Sequence, residues 1–110
     1  MYQVNIQTIR SRIREGNYLT KPHAVQHALK EGFRREHIVE AIFSGDIIEE
    51  YLDVQRVLIC GHALLGDITI YLHVVCEYAH PVYIEFVTAY IPDETQWVPP
   101  AFRHRRREKR

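Results

Sequence analysis

The spacing of apolar residues changes once along this 110-residue chain, at Gly45. Before Gly45, apolar residues recur every three or four positions, which is typical of amphipathic helices. After Gly45 they alternate with polar residues, which is typical of strands with one buried face. A chain that places its helices first and its strands afterwards is expected to pack them as separate layers of an α+β fold.

Three helices are predicted before Gly45. Ile6, Ile9 and Ile13 form an apolar stripe that predicts the first helix. Pro22 suits the first turn of a second helix, and a third helix is predicted over residues 35–43. The buried stripe of the second helix is predicted to consist of Ala24, Val25, Ala28 and Leu29.

Four strands are predicted after Gly45, over residues 46–52, 56–62, 68–78 and 82–91, with a loop at 61–67. The short link between the last two strands implies an antiparallel hairpin. We therefore expect an α+β fold with three N-terminal helices packed on one face of a four-stranded, mainly antiparallel sheet. Tyr71, His73 and Glu77 fall on the other face, which is expected to be open to solvent or to a ligand.

Charge is divided unevenly between the body and the end of the chain. Residues 103–110 carry six Lys/Arg and one Glu, whereas residues 1–102 carry 8 Lys/Arg and 13 Asp/Glu. We predict one α+β domain over residues 1–102 and a basic, disordered tail over residues 103–110. A polyanion is the natural partner of such a tail, and the alternative is a solvated terminus without a partner. The candidate nucleic-acid-binding residues are Arg103, Arg105, Arg106, Arg107, Lys109 and Arg110.

Composition and motifs exclude several classes of protein. No apolar run approaches the roughly 20 residues that span a bilayer, and the N-terminus lacks the order of a signal peptide, so we expect a cytoplasmic protein. Cys60 and Cys76 lie in apolar runs and are predicted to be buried, reduced thiols. The sequence has no CxxC pair, no Gly-rich phosphate loop and no GxSxG motif.

Three histidines are candidates for chemistry. His73 is the strongest single candidate, because imidazole moves protons near neutral pH and a strand holds the ring rigidly; the alternative is a structural histidine. His23 and His27 are four residues apart and share one helix face. That spacing suits a metal, but no third ligand lies at a diagnostic interval, so no metal is assigned.

Arg56 and Tyr90 are the other candidates that lie on predicted strands. The planar fork of Arg56 could hold a phosphate, although a surface salt bridge with Glu49 or Glu50 is the ordinary explanation. The hydroxyl of Tyr90 could orient a phosphate or a sugar, although Tyr is also a good strand former.

A series of short motifs occurs in order over roughly residues 20–107: His23-Ala24, Gly32, Ile38, Gly45-Asp46-Ile47-Ile48-Glu49-Glu50-Tyr51, Cys60-Gly61, Leu72-His73-Val74-Val75, Val87-Thr88-Ala89-Tyr90-Ile91-Pro92-Asp93 and Trp97. The series resembles the bacterial family called domain of unknown function 4258. Members of that family look like small toxins of the RelE and barnase-like ribonuclease type, often paired with a zinc-finger antitoxin that carries CxxC motifs. The resemblance implies metal-independent cleavage of RNA without a cofactor, and the expected partner is RNA, for which ribosome association is one option.

For such a reaction we expect His73 and His23 as base and acid in either order, Arg56 and Arg103 as charge stabilisers, and Tyr90 as an orienting group. The sequence departs from the family at His27, where relatives usually carry Arg in a His-Ala-x-x-Arg pattern. If that Arg stabilises phosphate charge, His27 does so only when protonated. The alternative function is a non-catalytic protein-interaction domain or an inactive former toxin.

Overall fold

A computed structural model of the protein describes residues 4–107. Its helices are α1 (Ile6–Arg14), α2 (Pro22–Glu31) and α3 (Arg35–Ser44), and its strands are β1 (Tyr18–Thr20), β2 (Asp46–Tyr51), β3 (Arg56–Leu65), β4 (Ile68–Glu77) and β5 (Ile84–Tyr90). A single 3-10 turn, Leu52–Val54, follows β2. The sheet order is β1-β5-β4-β3-β2. Strand β1 runs parallel to β5, and the other neighbours are antiparallel.

The three predicted helices are confirmed, and local signals explain their ends. The Asn5 side chain accepts a hydrogen bond from the backbone N–H of Thr8 at 2.9 Å and caps α1. Pro22 begins α2, where its missing N–H costs nothing. Gly32 ends α2 at a φ of +88°, a conformation that favours glycine.

The prediction of a four-stranded, mainly antiparallel sheet is wrong. The observed sheet has five strands and is mixed, because β1 is parallel to β5. Strand β1 lies between α1 and α2, so the helices are not all N-terminal to the sheet. Three residues are too few to show an alternating pattern, and β1 is fixed instead by pairing with a distant strand. The N–H of Ile84 donates to the carbonyl of Asn17, and the N–H of Lys21 donates to the carbonyl of Phe86, both at 3.1 Å.

The predicted loop over residues 61–67 is also wrong. Strand β3 continues to Leu65 and pairs with β4 along its whole length, so Leu65 lies opposite Ile68. The connection is reduced to Gly66 and Asp67, and Gly66 takes a φ of +62°, as a tight hairpin turn requires.

The core lies between the helices and one sheet face, and it includes Ile9, Phe33, Ile42, Val74 and Phe86. Both cysteines are free and buried, as predicted, and burial raises the pKa of each thiol. Helix α3 approaches the sheet closely at Gly61 in β3. A Cβ added at Gly61 would stand 1.8 Å from the carbonyl oxygen of Ala41 in α3.

Helix α2 packs along β5 with a narrower face than predicted. Ala24 and Ala28 are buried, but Val25 is 42% exposed and Leu29 is 68% exposed. Small side chains at the contact bring α2 close to the sheet edge. As a result, the polar face of α2 borders the sheet face opposite the core.

Residues 92–107, which we call the C-terminal segment, fold back across that opposite face. Within it, Trp97 and Arg105 form an isolated antiparallel bridge, and the backbone N–H of Arg106 donates to the carbonyl of Gln96 at 2.8 Å. Residues 103–107 of the predicted tail contact the sheet through the ion pairs described below, while residues 108–110 lie outside the described residues. Within residues 4–107, no helix has the length and apolar character needed to cross a membrane.

Candidate functional site

His73 lies under the C-terminal segment, so the expectation of an open sheet face is wrong at this position. The imidazole is fully buried, and the Trp97 ring packs edge-on against it with 4.4 Å between ring centroids. Trp97 is itself 3% exposed. The pattern of β4 shows which face His73 occupies, but it carries no signal for a segment 24 residues later that covers this face.

Both ring nitrogens of His73 are engaged. Nε2 lies 2.8 Å from the carbonyl oxygen of Phe102, which can only accept, so Nε2 carries the proton. Nδ1 then accepts from the hydroxyl of Tyr90 at 3.2 Å. Burial lowers the pKa of His73, and the hydrogen bond to Phe102 opposes this shift. In this structure His73 is a neutral ring with no face open to a substrate.

The Tyr90 hydroxyl links His73 to a surface groove between α2 and the C-terminal segment. The groove has a volume of about 390 Å³. Burial raises the pKa of Tyr90, so the phenol keeps its proton at neutral pH. The lining residues are His27, Glu31, Tyr90, Ile91, Asp93, Gln96, Trp97 and Arg105.

Helix α2 contributes a hydrogen-bonded pair to the groove. Nε2 of His27 lies 2.8 Å from Oε1 of Glu31, one helical turn later. The second carboxylate oxygen of Glu31 accepts from the backbone N–H of Ile91 at 2.8 Å, which fixes α2 to the end of β5. His23 is exposed one turn before His27, with 6.1 Å between the two ring centroids. The predicted sharing of one helix face by the two histidines is confirmed.

Arg105 contributes a cation to the opposite side of the groove. Its Nε and Nη2 donate to the two carboxylate oxygens of Glu49 at 2.8 and 3.0 Å, and its guanidinium lies 4.7 Å from the centroid of Trp97. The hydrogen bond with Arg105 lowers the pKa of Glu49 and raises that of Arg105. Glu49 also accepts from the hydroxyl of Tyr51, whose pKa is raised to about 12, first by burial and then by this hydrogen bond.

The two predicted charge stabilisers, Arg56 and Arg103, lie outside the groove. Arg56 donates from Nε to Glu77 at 3.0 Å, so its partner is neither Glu49 nor Glu50. Arg56 lies opposite Glu77 in the β3–β4 pairing, and Cys60 lies opposite His73. Arg56 is therefore four residues, or about 13 Å, along the strand from His73. Arg103 forms an ion pair with Asp46 at 3.0 Å.

The remaining predicted nucleic-acid-binding residues fall into two groups. Arg106 and Arg107 are exposed, whereas Lys109 and Arg110 lie outside the described residues. Within residues 4–107, no group of three or more His, Cys, Asp or Glu side chains is arranged to hold a metal ion.

Sequence reasoning missed Glu31 and Arg105 as members of one site. Glu31 had a usable local signal, because it follows His27 by four residues on the same helix face. Arg105 was identified as a general nucleic-acid contact, and its pairing with Glu49 joins positions 56 residues apart, for which the sequence has no local signal.

The fold and the groove define an α+β protein that gathers two imidazoles, a phenol and a guanidinium beside the face of a five-stranded sheet that lies opposite the core. The chain belongs to the family described as domain of unknown function (DUF4258), whose model matches residues 20–95. That range includes the groove residues of α2 and β5 and ends before Trp97 and Arg105. No curated protein and no solved structure matches the chain.

Proposed function

We propose that this protein is a metal-independent ribonuclease that cleaves RNA in the groove between α2 and the C-terminal segment. The observation that carries the proposal is the convergence of His27, Tyr90 and Arg105 from three separate parts of the chain, with His23 one turn away. These are the group types that RNA cleavage without a metal needs: a base, an acid, a cation and an orienting hydroxyl.

In the proposed reaction, the 2′-oxygen of a ribose attacks the adjacent phosphorus and the bond from phosphorus to the 5′-oxygen breaks. The products are a 2′,3′-cyclic phosphate and a free 5′-hydroxyl. A base must remove the 2′-OH proton, and an acid must give a proton to the leaving oxygen. His27 serves as the base through Nδ1, because its Nε2 proton is donated to Glu31. Protonated His23 serves as the acid.

Arg105 supplies the charge for the phosphorane in this proposal. Glu49 engages Nε and Nη2, so Nη1 is the donor that a phosphate oxygen would take. Tyr90 gives its proton to His73, so its oxygen can accept a hydrogen bond from the 2′-OH of a neighbouring ribose, while the attacking 2′-OH gives its only proton to His27. His73 then acts as a positioning residue for Tyr90, and not as the base or acid expected from the sequence.

The chemistry can be tested on a DNA oligonucleotide that contains one ribonucleotide. Because attack requires a 2′-OH, the proposal predicts a single cut after that ribonucleotide, with a 2′,3′-cyclic phosphate end, in the presence of EDTA. The matched control is the same oligonucleotide with deoxyribose at that position. Cutting of the control, or activity that EDTA removes and zinc restores, contradicts the proposal.

We also propose that the enzyme acts in the cytoplasm as the RelE or barnase-like toxin of a toxin-antitoxin pair, with ribosome-associated RNA among its substrates. This proposal rests on the family resemblance and on the groove. Induction of the protein without its neighbouring genes should stop growth and degrade RNA. The His27→Ala variant should do neither, and equal growth arrest by both proteins would contradict the link between groove and toxicity.

A second candidate function is a non-catalytic protein-interaction domain. The observation in its favour is the exposure of Val25 and Leu29 beside an apolar depression of about 100 Å³ that is also lined by Phe33 and Ile38. A small antitoxin with CxxC motifs is the proposed partner at this surface. Under this second function, the parent should bind the antitoxin and cleave no RNA, and a Leu29→Lys variant should lose the antitoxin.

A further inference from the structure

Three rings form a cluster outside the groove, on the sheet face that carries the C-terminal segment. Tyr71 lies with its ring centroid 5.7 Å from that of Phe102 and 6.3 Å from that of His62. Tyr71 and Phe102 are half-buried, and His62 is exposed. We call these three residues the aromatic patch. Their neighbour on β3, Leu64, is 56% exposed, so the surface continues toward the hairpin tip.

The backbone of Phe102 indicates that its side chain has a role of its own. Phe102 has a φ of +58°, in the left-handed region that bulky residues rarely adopt. Such a conformation strains a bulky residue, and glycine would adopt it with much less strain. The carbonyl that caps His73 would remain with glycine at this position. What glycine would remove is the ring that extends the surface of Tyr71.

Positive charge adjoins the patch. Arg103 directly follows Phe102, and its side chain is 45% exposed although it pairs with Asp46. His104, Arg105, Arg106 and Arg107 continue from it, and all of them are exposed. Partly exposed rings beside a basic segment match the two parts of a single-stranded nucleic acid, whose bases stack on aromatic groups and whose phosphates attract arginine.

We propose that the aromatic patch binds an unpaired nucleobase of RNA, with Arg103 on the adjoining phosphate. Tyr71 lies two residues from His73 on β4, or about 7 Å along the strand, so one RNA strand can reach both the patch and the groove. The base must be unpaired, because a ring set into a sheet face can stack only on a base that has left its helix. The identity of the ligand as RNA rests on the proposed function, and the patch adds a binding site outside the reacting groove.

The test measures binding without cleavage. The probe is a fluorescein-labelled 2′-O-methyl oligoadenylate of about eight nucleotides, within the usual site size of single-strand binding surfaces, and its blocked 2′-oxygen cannot attack phosphorus. Tyr71→Leu removes the ring and keeps apolar volume, so we expect the Kd to rise about tenfold. Tyr71→Phe keeps the ring and should bind within about twofold of the parent. His62→Ala, at an exposed position, should weaken binding in the same direction as Tyr71→Leu.

The matched control is Tyr83→Leu. Tyr83 is an exposed tyrosine whose ring centroid lies 5.0 Å from that of a histidine, His80, but it lies at the opposite end of the sheet. This variant should bind like the parent. Equal affinity of the parent, Tyr71→Leu and His62→Ala would overturn the proposal, as would equal affinity of the parent for a duplex of the same length. If the patch variants lose binding but the parent cleaves no RNA, the proposal of a nucleobase site at the patch stands and the proposal of a ribonuclease is rejected.

Discussion

Nε2 of His73 donates a hydrogen bond to the carbonyl oxygen of Phe102 at 2.8 Å, and this contact joins the middle of the sheet to the C-terminal segment. Phe102 therefore fixes the tautomer of His73, and the tautomer fixes the direction of the hydrogen bond with Tyr90. Because of this chain of contacts, the C-terminal segment is part of the candidate site.

The buried His73 should make stability depend on pH. Its pKa is lowered from 6.5 by burial, so the unfolded chain takes up this proton at a higher pH than the folded protein. The contribution of His73 is therefore complete above pH 6.5 and is lost as pH falls from there through the folded pKa. Urea unfolding between pH 7.5 and 5 should show a steeper loss of stability for the parent than for His73→Gln, which keeps a donor but does not titrate. Equal slopes for His73→Gln and the parent would contradict this prediction.

The ion pair between Glu49 and Arg105 should stabilise the folded protein mainly above the acid range. The hydrogen bond with Arg105 lowers the pKa of Glu49 from 4.5, so the contribution is present above that pH and is lost as pH falls through the folded pKa. Because the Arg105 side chain is 57% exposed, we expect Glu49→Gln to cost no more than about 1 kcal/mol at pH 7, and less at pH 3. Thermal unfolding at the two pH values measures this. The exposed neighbour Glu50 gives the control variant Glu50→Gln, and an equal effect at both sites would count against a specific pair.

The contact of α3 with β3 should not tolerate a methyl group. Since a Cβ at position 61 would stand 1.8 Å from the Ala41 carbonyl oxygen, Gly61→Ala must push the helix and the strand apart. We expect a loss of about 3 kcal/mol or more in the free energy of unfolding, at the upper end of overpacking effects. Gly66→Asn is the control, because Gly66 faces open space and Asn accepts a positive φ. Equal stability of the Gly61→Ala variant and the parent would contradict this prediction, because it would show that α3 and β3 can move apart at little cost.

Local sequence patterns predicted the helices well because their signals are local. The Ile6, Ile9 and Ile13 stripe and the proline at position 22 each act within one or two turns of helix. Strand β1 could not be found in this way, since its three residues are strand only through the partner offered by Ile84 and Phe86. The same limit applies to Val25 and Leu29, which look buried by spacing but lie beyond the narrow contact made by Ala24 and Ala28.

The candidate site was predictable in part for the same reason. His23 and His27 were placed together because one helix face carries both. The cover over His73 depends on Trp97 and Phe102, and the groove cation depends on the pairing of Arg105 with Glu49. Those contacts join positions far apart in the chain, and a single sequence gives no pattern for them.

The His27→Arg variant distinguishes two possible roles of position 27: a base that accepts a proton, and a positive charge that neutralises phosphate. If His27 is the base, His27→Arg should remove cleavage at every pH, because arginine does not accept a proton in this range. If position 27 only neutralises phosphate charge, the same variant should cleave faster than the parent at about pH 8, where histidine is mostly neutral. Initial rates on one defined RNA at about pH 5.5 and pH 8 decide between the two roles.

The most direct test of the candidate site is the rate of cleavage of one defined RNA, in EDTA, by the parent, His23→Ala, His27→Ala and His80→Ala. We predict that the His23→Ala and His27→Ala variants lose about a hundredfold or more in rate, as expected for a lost acid or base, while their unfolding midpoints stay near that of the parent. The His80→Ala variant should cleave like the parent, because His80 is exposed, packs beside Tyr83 and belongs to neither the candidate site nor the aromatic patch. Parent-like rates for the folded His23→Ala and His27→Ala proteins would contradict the assignment of the active site to this groove.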